Sequence, residues 1–282
     1  MWNFSTGDCC GPQRIPTTMH VIENCPVTRK RFSLIVLSHG MFEDRFSHFD
    51  TAEFLADAGF AVVAINPSQD SALDIGGKSA DDISAFLVRP VEIKRTIDFF
   101  ECHPLAGVDF DLRHIGFFGF SRGGYTGLVL AGGTPDFNTL VIQCPLVAHI
   151  CTQIKDHEIP FHASGYESRI SAYVVADPLD FFPDKSSLKN VHVPIQLWSS
   201  ELGGMGVRPQ EVTAVAANLP EKPEFHRVAA ATHLSFDCPC SEEAKSANRT
   251  IVCVDPPGFD RVAFHRKFNE DVAVFFRKHL PD

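Results

Sequence analysis

The sequence is short of basic residues: Lys and Arg number 25 against 35 Asp and Glu, a formal net charge of −10. Nucleic acids and anionic membranes reward clustered Lys and Arg, so neither is expected as a partner. No apolar run reaches the roughly 18 residues that a membrane-spanning helix requires. The opening MWNFSTGDCC has no basic stretch followed by an apolar one. No signal peptide is read there, and the default compartment is cytoplasmic, with a periplasmic or secreted protein as the alternative if the N-terminus is truncated. Tyr and Trp are scarce, at 3 and 2, whereas Phe occurs 25 times, which predicts a Phe-rich core. No repeat and no low-complexity linker divides the chain. Its 282 residues fit one α/β domain, with 1–30 turn-rich and hard to assign. Nothing in the pattern sets an oligomeric state.

The nine cysteines lack zinc-finger or zinc-ribbon spacing. Cys240 and Cys253 could pair in an oxidising compartment, but spacing alone does not fix connectivity.

Apolar runs alternate with helical stretches along the chain. Strands are predicted at Phe32–Leu37, Phe60–Ile65, Ile115–Gly119, Ala172–Ala176, Ile195–Trp198 and Glu224–Ala229. Helices are predicted over Ser47–Ala58, from Ser79 with Asp81 and Asp82 in its first turn, over Val91–Phe100, Gly124–Leu130, Pro209–Asn218 and Arg261–His279. This alternation implies a doubly wound, mostly parallel sheet with helices on both faces, whose functional loops lie at the carboxyl ends of the strands.

Gly119-Phe120-Ser121-Arg122-Gly123 is a Gly-x-Ser-x-Gly pentapeptide between a short apolar strand and a helix. That context predicts a strained turn that projects the Ser121 hydroxyl outward, with glycines where a side chain would strike neighbouring backbone. Ser121 is the predicted nucleophile. Of 13 histidines, His233 lies in a loop between the last strand and the final helix, the place of the general base in the order nucleophile, acid, histidine. His192, His226 and His265 read as surface or packing residues. Ser38-His39-Gly40-Met41 follows an early strand. Backbone amides of Met41 and Arg122 are the predicted oxyanion-hole donors, with Gly40 permitting the turn.

The stretch LIVLSHGMFEDRFSHFDTAEFLADAGFAVVAINPSQD resembles the same region of platelet-activating-factor acetylhydrolase-like and dienelactone-hydrolase-like proteins, as do IGFFGFSRGGYTGLVLAGG, YVVADPLDFF, VPIQLWSSE and ATHLSFDCPC. The likeness runs from about Arg31 to the C-terminus. It implies the α/β-hydrolase fold, a carboxylic-ester hydrolase with a Ser–Asp–His triad, a small-molecule or lipid-like ester substrate, and neither metal nor organic cofactor. Dienelactone hydrolases proper use a cysteine, whereas this chain carries Ser121. The resemblance also bears on the acid. The usual position, after the strand IQLW, reads Leu202-Gly203-Gly204 with only Glu201 nearby. The acetylhydrolase-like proteins place the aspartate one strand earlier, which here is Asp177; Glu201 and Asp180 are the alternatives. Such relatives have two further strands before Phe32, of which 1–30 offers little beyond Thr18–Ile22. Ile142–Ser171, with the apolar CPLVAHICTQI, occupies the place of lid and acyl-pocket insertions, or packs in the core. A non-hydrolytic or acyltransferase member of the fold, and an amidase or peptidase, are the competing functional readings.

Overall fold

Alternate residues of each central strand belong to opposite cores. In β1 (Arg31–Ser38), Leu34 and Val36 pack into one cluster and Ile35 and Leu37 into the other. The same split divides Phe117 from Phe118 and Phe120 in β3 (Asp109–Phe120), and Tyr173 and Val175 from Ala172, Val174 and Ala176 in β4 (Ile170–Ala176). With side chains alternating at period two, both faces of a strand can be apolar only if both faces are covered. The computed structural model describes residues 31–68, 70–71, 82–105, 107–138, 149–156, 165–242, 245 and 251–281.

These strands, with β2 (Ala61–Ala64), β5 (Ile195–Ser200) and β6 (Glu224–Val228), form a six-stranded sheet in the order β2-β1-β3-β4-β5-β6. Every pairing is parallel. One face carries α1 (Phe49–Asp57) and the C-terminal α7 (Arg261–His279) through Leu55, Phe268, Val272 and Phe276. The other carries α2 (Ser84–Cys102), α3 (Arg122–Leu130), α4 (His149–Lys155) and α6 (Pro209–Asn218) through Ile93, Ile97, Leu128, Ile150, Val212 and Val215. The short α5 (Lys185–Leu188) is capped by Asp184, whose carboxylate accepts from the amides of Ser186 and Ser187. Phe117, Phe118, Phe120, Phe182, Phe236, Phe268 and Phe276 are fully buried, so the abundant Phe fills the core.

Two expectations need correction. Val91–Phe100 is not a separate helix: α2 runs unbroken from Ser84 through Pro90. A proline inside a helix costs about 3 kcal/mol, but Arg89, Pro90, Ile93 and Ile97 are all buried along this face, and that packing holds the helix through the lost hydrogen bond. β3 begins at Asp109, six residues before the predicted Ile115, because Arg31–Ser33 pair with Asp109–Asp111 ahead of a register shift. The segment 142–171 contains a helix, α4, whose Ile150, Cys151 and Ile154 pack in the core. Thr18–Ile22, Ser79, Asp81 and residues 142–148 lie outside the described residues. Cys240 and Cys253 are joined in a disulfide. Among the described residues, no helix is long and apolar enough to cross a membrane.

Candidate active site

The carboxyl ends of β1, β3, β4 and β5 and the loop after β6 converge on Ser121, Asp177 and His233. Ser121 leaves β3 with φ 55° and ψ −114°, a left-handed conformation that costs a non-glycine residue roughly 1–3 kcal/mol. Its backbone is held on both sides: its amide donates to Ala176 O, and its carbonyl accepts from Tyr125 N and Leu179 N. The flanking glycines are required sterically. A Cβ at Gly119 would stand 2.3 Å from Gly123 O, and one at Gly123 would stand 1.9 Å from Ser38 O. The second contact brings the start of α3, and with it Arg122, against the loop that holds Met41.

Asp177 is fully buried and also has positive φ, at 40°. Its Oδ1 accepts from Ser200 N at 2.7 Å, and its Oδ2 accepts from Ser200 Oγ at 2.5 Å and stands 3.1 Å from His233 Nδ1. A carboxylate accepts only, so His233 Nδ1 is the donor of this contact, which leaves Nε2 as the ring nitrogen not held by Asp177. His233 is itself 3 % exposed, its amide donates to Gly203 O, and its ring stacks at 4.6 Å on Phe120, the neighbour of Ser121. Glu201 is placed elsewhere: its carboxylate accepts from Ala230 N, lies 3.6 Å from Arg227, and is 41 % exposed. Asp180 accepts from Phe182 N, and burial pushes it up to about 6. Their carboxylates are engaged by Ala230 and Phe182, so the geometry groups Asp177, not Glu201 or Asp180, with the histidine. The three histidines read as surface or packing residues also have identifiable neighbours or settings. His226 stacks at 4.0 Å on Trp198, His265 is buried against Asp50 at 2.7 Å, and His192 is exposed.

An ion network unseen in the sequence lies under the loop after β1. Arg89, 1 % exposed, donates from Nη1 to His39 O at 2.5 Å and from Nη2 to Gly40 O at 2.9 Å. Its Nε donates to Asp70 Oδ2 at 2.8 Å, and the same oxygen accepts from Arg122 Nη1 at 2.7 Å. Arg122 Nη2 reaches Met41 Sδ at 2.8 Å. Two carbonyls of the Ser38–Met41 loop are thereby turned toward the interior, and the two residues read as oxyanion donors are tied to each other. Burial alone would raise the Asp70 carboxyl, but Arg89 and Arg122 outweigh it and hold the group below the usual range. Burial, with Arg89 nearby, drops His39 to about 3, so it stays neutral and is unsuited to act as a base near neutral pH. A buried arginine on an amphipathic helix has no sequence signature, and Asp70 sits in a turn-like Asn-Pro-Ser-Gln-Asp run. Ser200 was equally hidden, as one of two serines ending a strand.

Behind the same loop, Glu43 Oε2 accepts from Gly40 N at 2.8 Å. Burial pushes Glu43 up to about 8, and burial beside Glu43 raises Asp237 as well. Glu43, His48 and Asp237 are the described residues whose donor atoms come close enough together to hold a metal ion.

No protein-family model matches the chain, and no curated protein matches it in sequence. Solved structures do resemble it. A dipeptidyl aminopeptidase IV-like protein of Bacteroides ovatus matches with a TM-score of 0.54 at 13 % identity over 89 % of this chain. The match spans 32 % of that protein's length, about a third. An esterase of Pyrococcus furiosus matches with a TM-score of 0.52 at 12 % identity, over 88 % of this chain and 84 % of the esterase. A dienelactone hydrolase of Anabaena variabilis is similar at 17 % identity and a TM-score of 0.49, over 89 % of this chain and 88 % of that one. At these identities the likeness is one of fold.

Proposed function

We propose that this chain, which has the α/β-hydrolase fold, is a serine hydrolase of carboxylic esters. The observation that carries the reading is the 3.1 Å contact between buried Asp177 and His233, at the same sheet end as Ser121 in its strained turn. Ser121 attacks the ester carbonyl while His233 Nε2 takes its proton, and Asp177 holds the tautomer and stabilises the imidazolium that forms. The first amide of α3, on Arg122, has no partner within its helix and sits at the positive end of the helix dipole. It and the Met41 amide donate to the developing oxyanion, each such donor being worth about 3–4 kcal/mol of barrier. The tetrahedral intermediate then collapses, with His233 returning the proton to the departing alcohol, and water opens the resulting acyl-enzyme through the same groups.

Met41 and Phe42 after β1, and Leu202 and Met205 after β5, are each 38–56 % exposed. They rim the two loops that hold the proposed oxyanion donor and His233, and they favour an ester with an apolar acyl or alcohol part. The Pyrococcus furiosus neighbour is an esterase by name, in keeping with ester hydrolysis. Hydrolysis of p-nitrophenyl acetate and butyrate by wild type and Ser121→Ala tests the proposal. Turnover should fall by about 10³-fold or more in the variant with folding intact. Comparable rates in the two proteins contradict it.

A further inference from the structure

Glu43, His48 and Asp237 lie together in the interior, 6 %, 3 % and 0 % exposed, with one ligand atom from each within 4.8 Å of the others. They come from the turns after β1 and from the residue that ends the one-turn helix His233–Phe236. Neither carboxylate oxygen of Asp237 has a hydrogen-bond donor. Its acidic neighbour Glu43 already takes the Gly40 amide and can bond to Asp237 only through a proton shared between the two carboxyls. Arg261 also acts on Asp237, but its Nε and Nη2 are engaged with Asp255 Oδ1, and its Nη1 is buried without a hydrogen-bond partner. Burying an ion costs several kcal/mol, so two facing carboxylates need either a cation between them or a proton shared by them.

We propose that Glu43, His48 and Asp237 form a structural site for a divalent transition-metal ion, with zinc as the best fit. One imidazole nitrogen and two carboxylates are ligands that zinc accepts, and their two negative charges match its two positive ones. The pair His48 Nε2 to Glu43 Oε2, at 3.6 Å, is close to the roughly 3.4 Å edge of a zinc tetrahedron with 2.1 Å bonds. With the ligand atoms within 4.8 Å of one another, Asp237 has to close by at most about 1.4 Å to reach that edge. The His48 ring is fixed edge-on to Phe118 and Phe120 at 5.2 and 5.3 Å, which limits its choice of orientation. The ion would join two loops that the chemistry needs at a constant separation. Glu43 anchors the loop of Gly40 and Met41, and Asp237 lies four residues beyond His233 on the other. It takes no part in bond-making, so this inference stands apart from the esterase proposal and survives its failure.

The test is metal analysis of the full chain after equilibration with Zn²⁺ and removal of excess ion. About one zinc per chain is expected, with a melting temperature that falls on chelation and returns on adding back one equivalent. Asp237→Asn and Glu43→Gln should each lower retained zinc at least tenfold. Zinc K-edge absorption of the wild type supplies a second reading that needs no variant: one nitrogen and at least two oxygens are expected around the metal. Less than a tenth of an equivalent with an unchanged melting temperature would overturn the proposal and leave a shared proton as the bridge. A shell of several imidazoles, or unchanged zinc in a folded Asp237→Asn, would place the ion on other histidines and overturn it equally.

Discussion

Asp177 and Glu201 differ in what surrounds them. The first is buried, held by two bonds from Ser200, and 3.1 Å from His233; the second is 41 % exposed and caps Ala230. Asp177→Asn should therefore lower kcat by on the order of 10⁴, because an amide donates where the imidazole needs an acceptor. Glu201→Gln should leave kcat within about threefold, since an exposed capping contact is worth about 1 kcal/mol or less. Steady-state kinetics on both, with circular dichroism for folding, checks the ranking, and a crippled Glu201→Gln beside an active Asp177→Asn reverses the assignment. The parts of the candidate site legible in the sequence are those with a local signature. Ser121 stood in its Gly-x-Ser-x-Gly frame, His233 in its loop, and Asp177 in a strand end resembling that of known relatives. Arg89, Asp70 and Ser200 were not legible, because their roles arise from distant residues meeting: Asp70 and Arg122 are 52 positions apart, Asp177 and Ser200 23.

At the scale of the element, the junction of β1, β3 and α3 leaves no room. Gly123→Ala would set a methyl group 1.9 Å from Ser38 O, a contact that only backbone movement relieves. Opening the loop against α3 moves both proposed oxyanion donors. The variant should lose at least 10² in kcat and unfold at lower temperature; wild-type kinetics and melting would show that the junction is looser than described. Gly107→Ala is the control, since nothing lies within 4 Å of its Cβ, and only its positive φ is at stake. Strands were readable as apolar runs to within one to two residues for β1 and β2, whereas β3 was cut short. Its first half, Asp109–Arg113, is polar and earns its place by pairing with Arg31–Ser33. The continuity of α2 through Pro90 was hidden for a related reason: local propensity opposes it and tertiary burial decides.

For the molecule as a whole, stability depends on charges buried near the site and on covalent links such as Cys240–Cys253. Asp70 is held below its ordinary pKa, so it contributes stability that is present above about pH 4 and is lost as pH falls through its folded value. Asp70→Asn leaves Arg89 and Arg122 without their carboxylate and should cost about 3–5 kcal/mol at pH 7. The gap to wild type should narrow in urea unfolding as pH falls from about 4 through the depressed folded pKa of Asp70, where the carboxylate itself takes up a proton; a pH-independent gap contradicts this. The Cys240–Cys253 link, 13 residues apart, closes a loop beyond His233 and Asp237. Replacing both cysteines with serine should cost about 2–3 kcal/mol by the chain-entropy estimate, read as a lower melting temperature. The bridge itself was open in the sequence, where nine cysteines allowed many pairings. The central claim, that this fold carries an activated Ser121, is tested most directly by fluorophosphonate labelling followed by peptide mass analysis. One adduct per chain on Ser121 is expected, absent from Ser121→Ala and slowed in a folded Asp177→Asn. No adduct on a folded wild-type protein, or an adduct on another residue, would contradict the account.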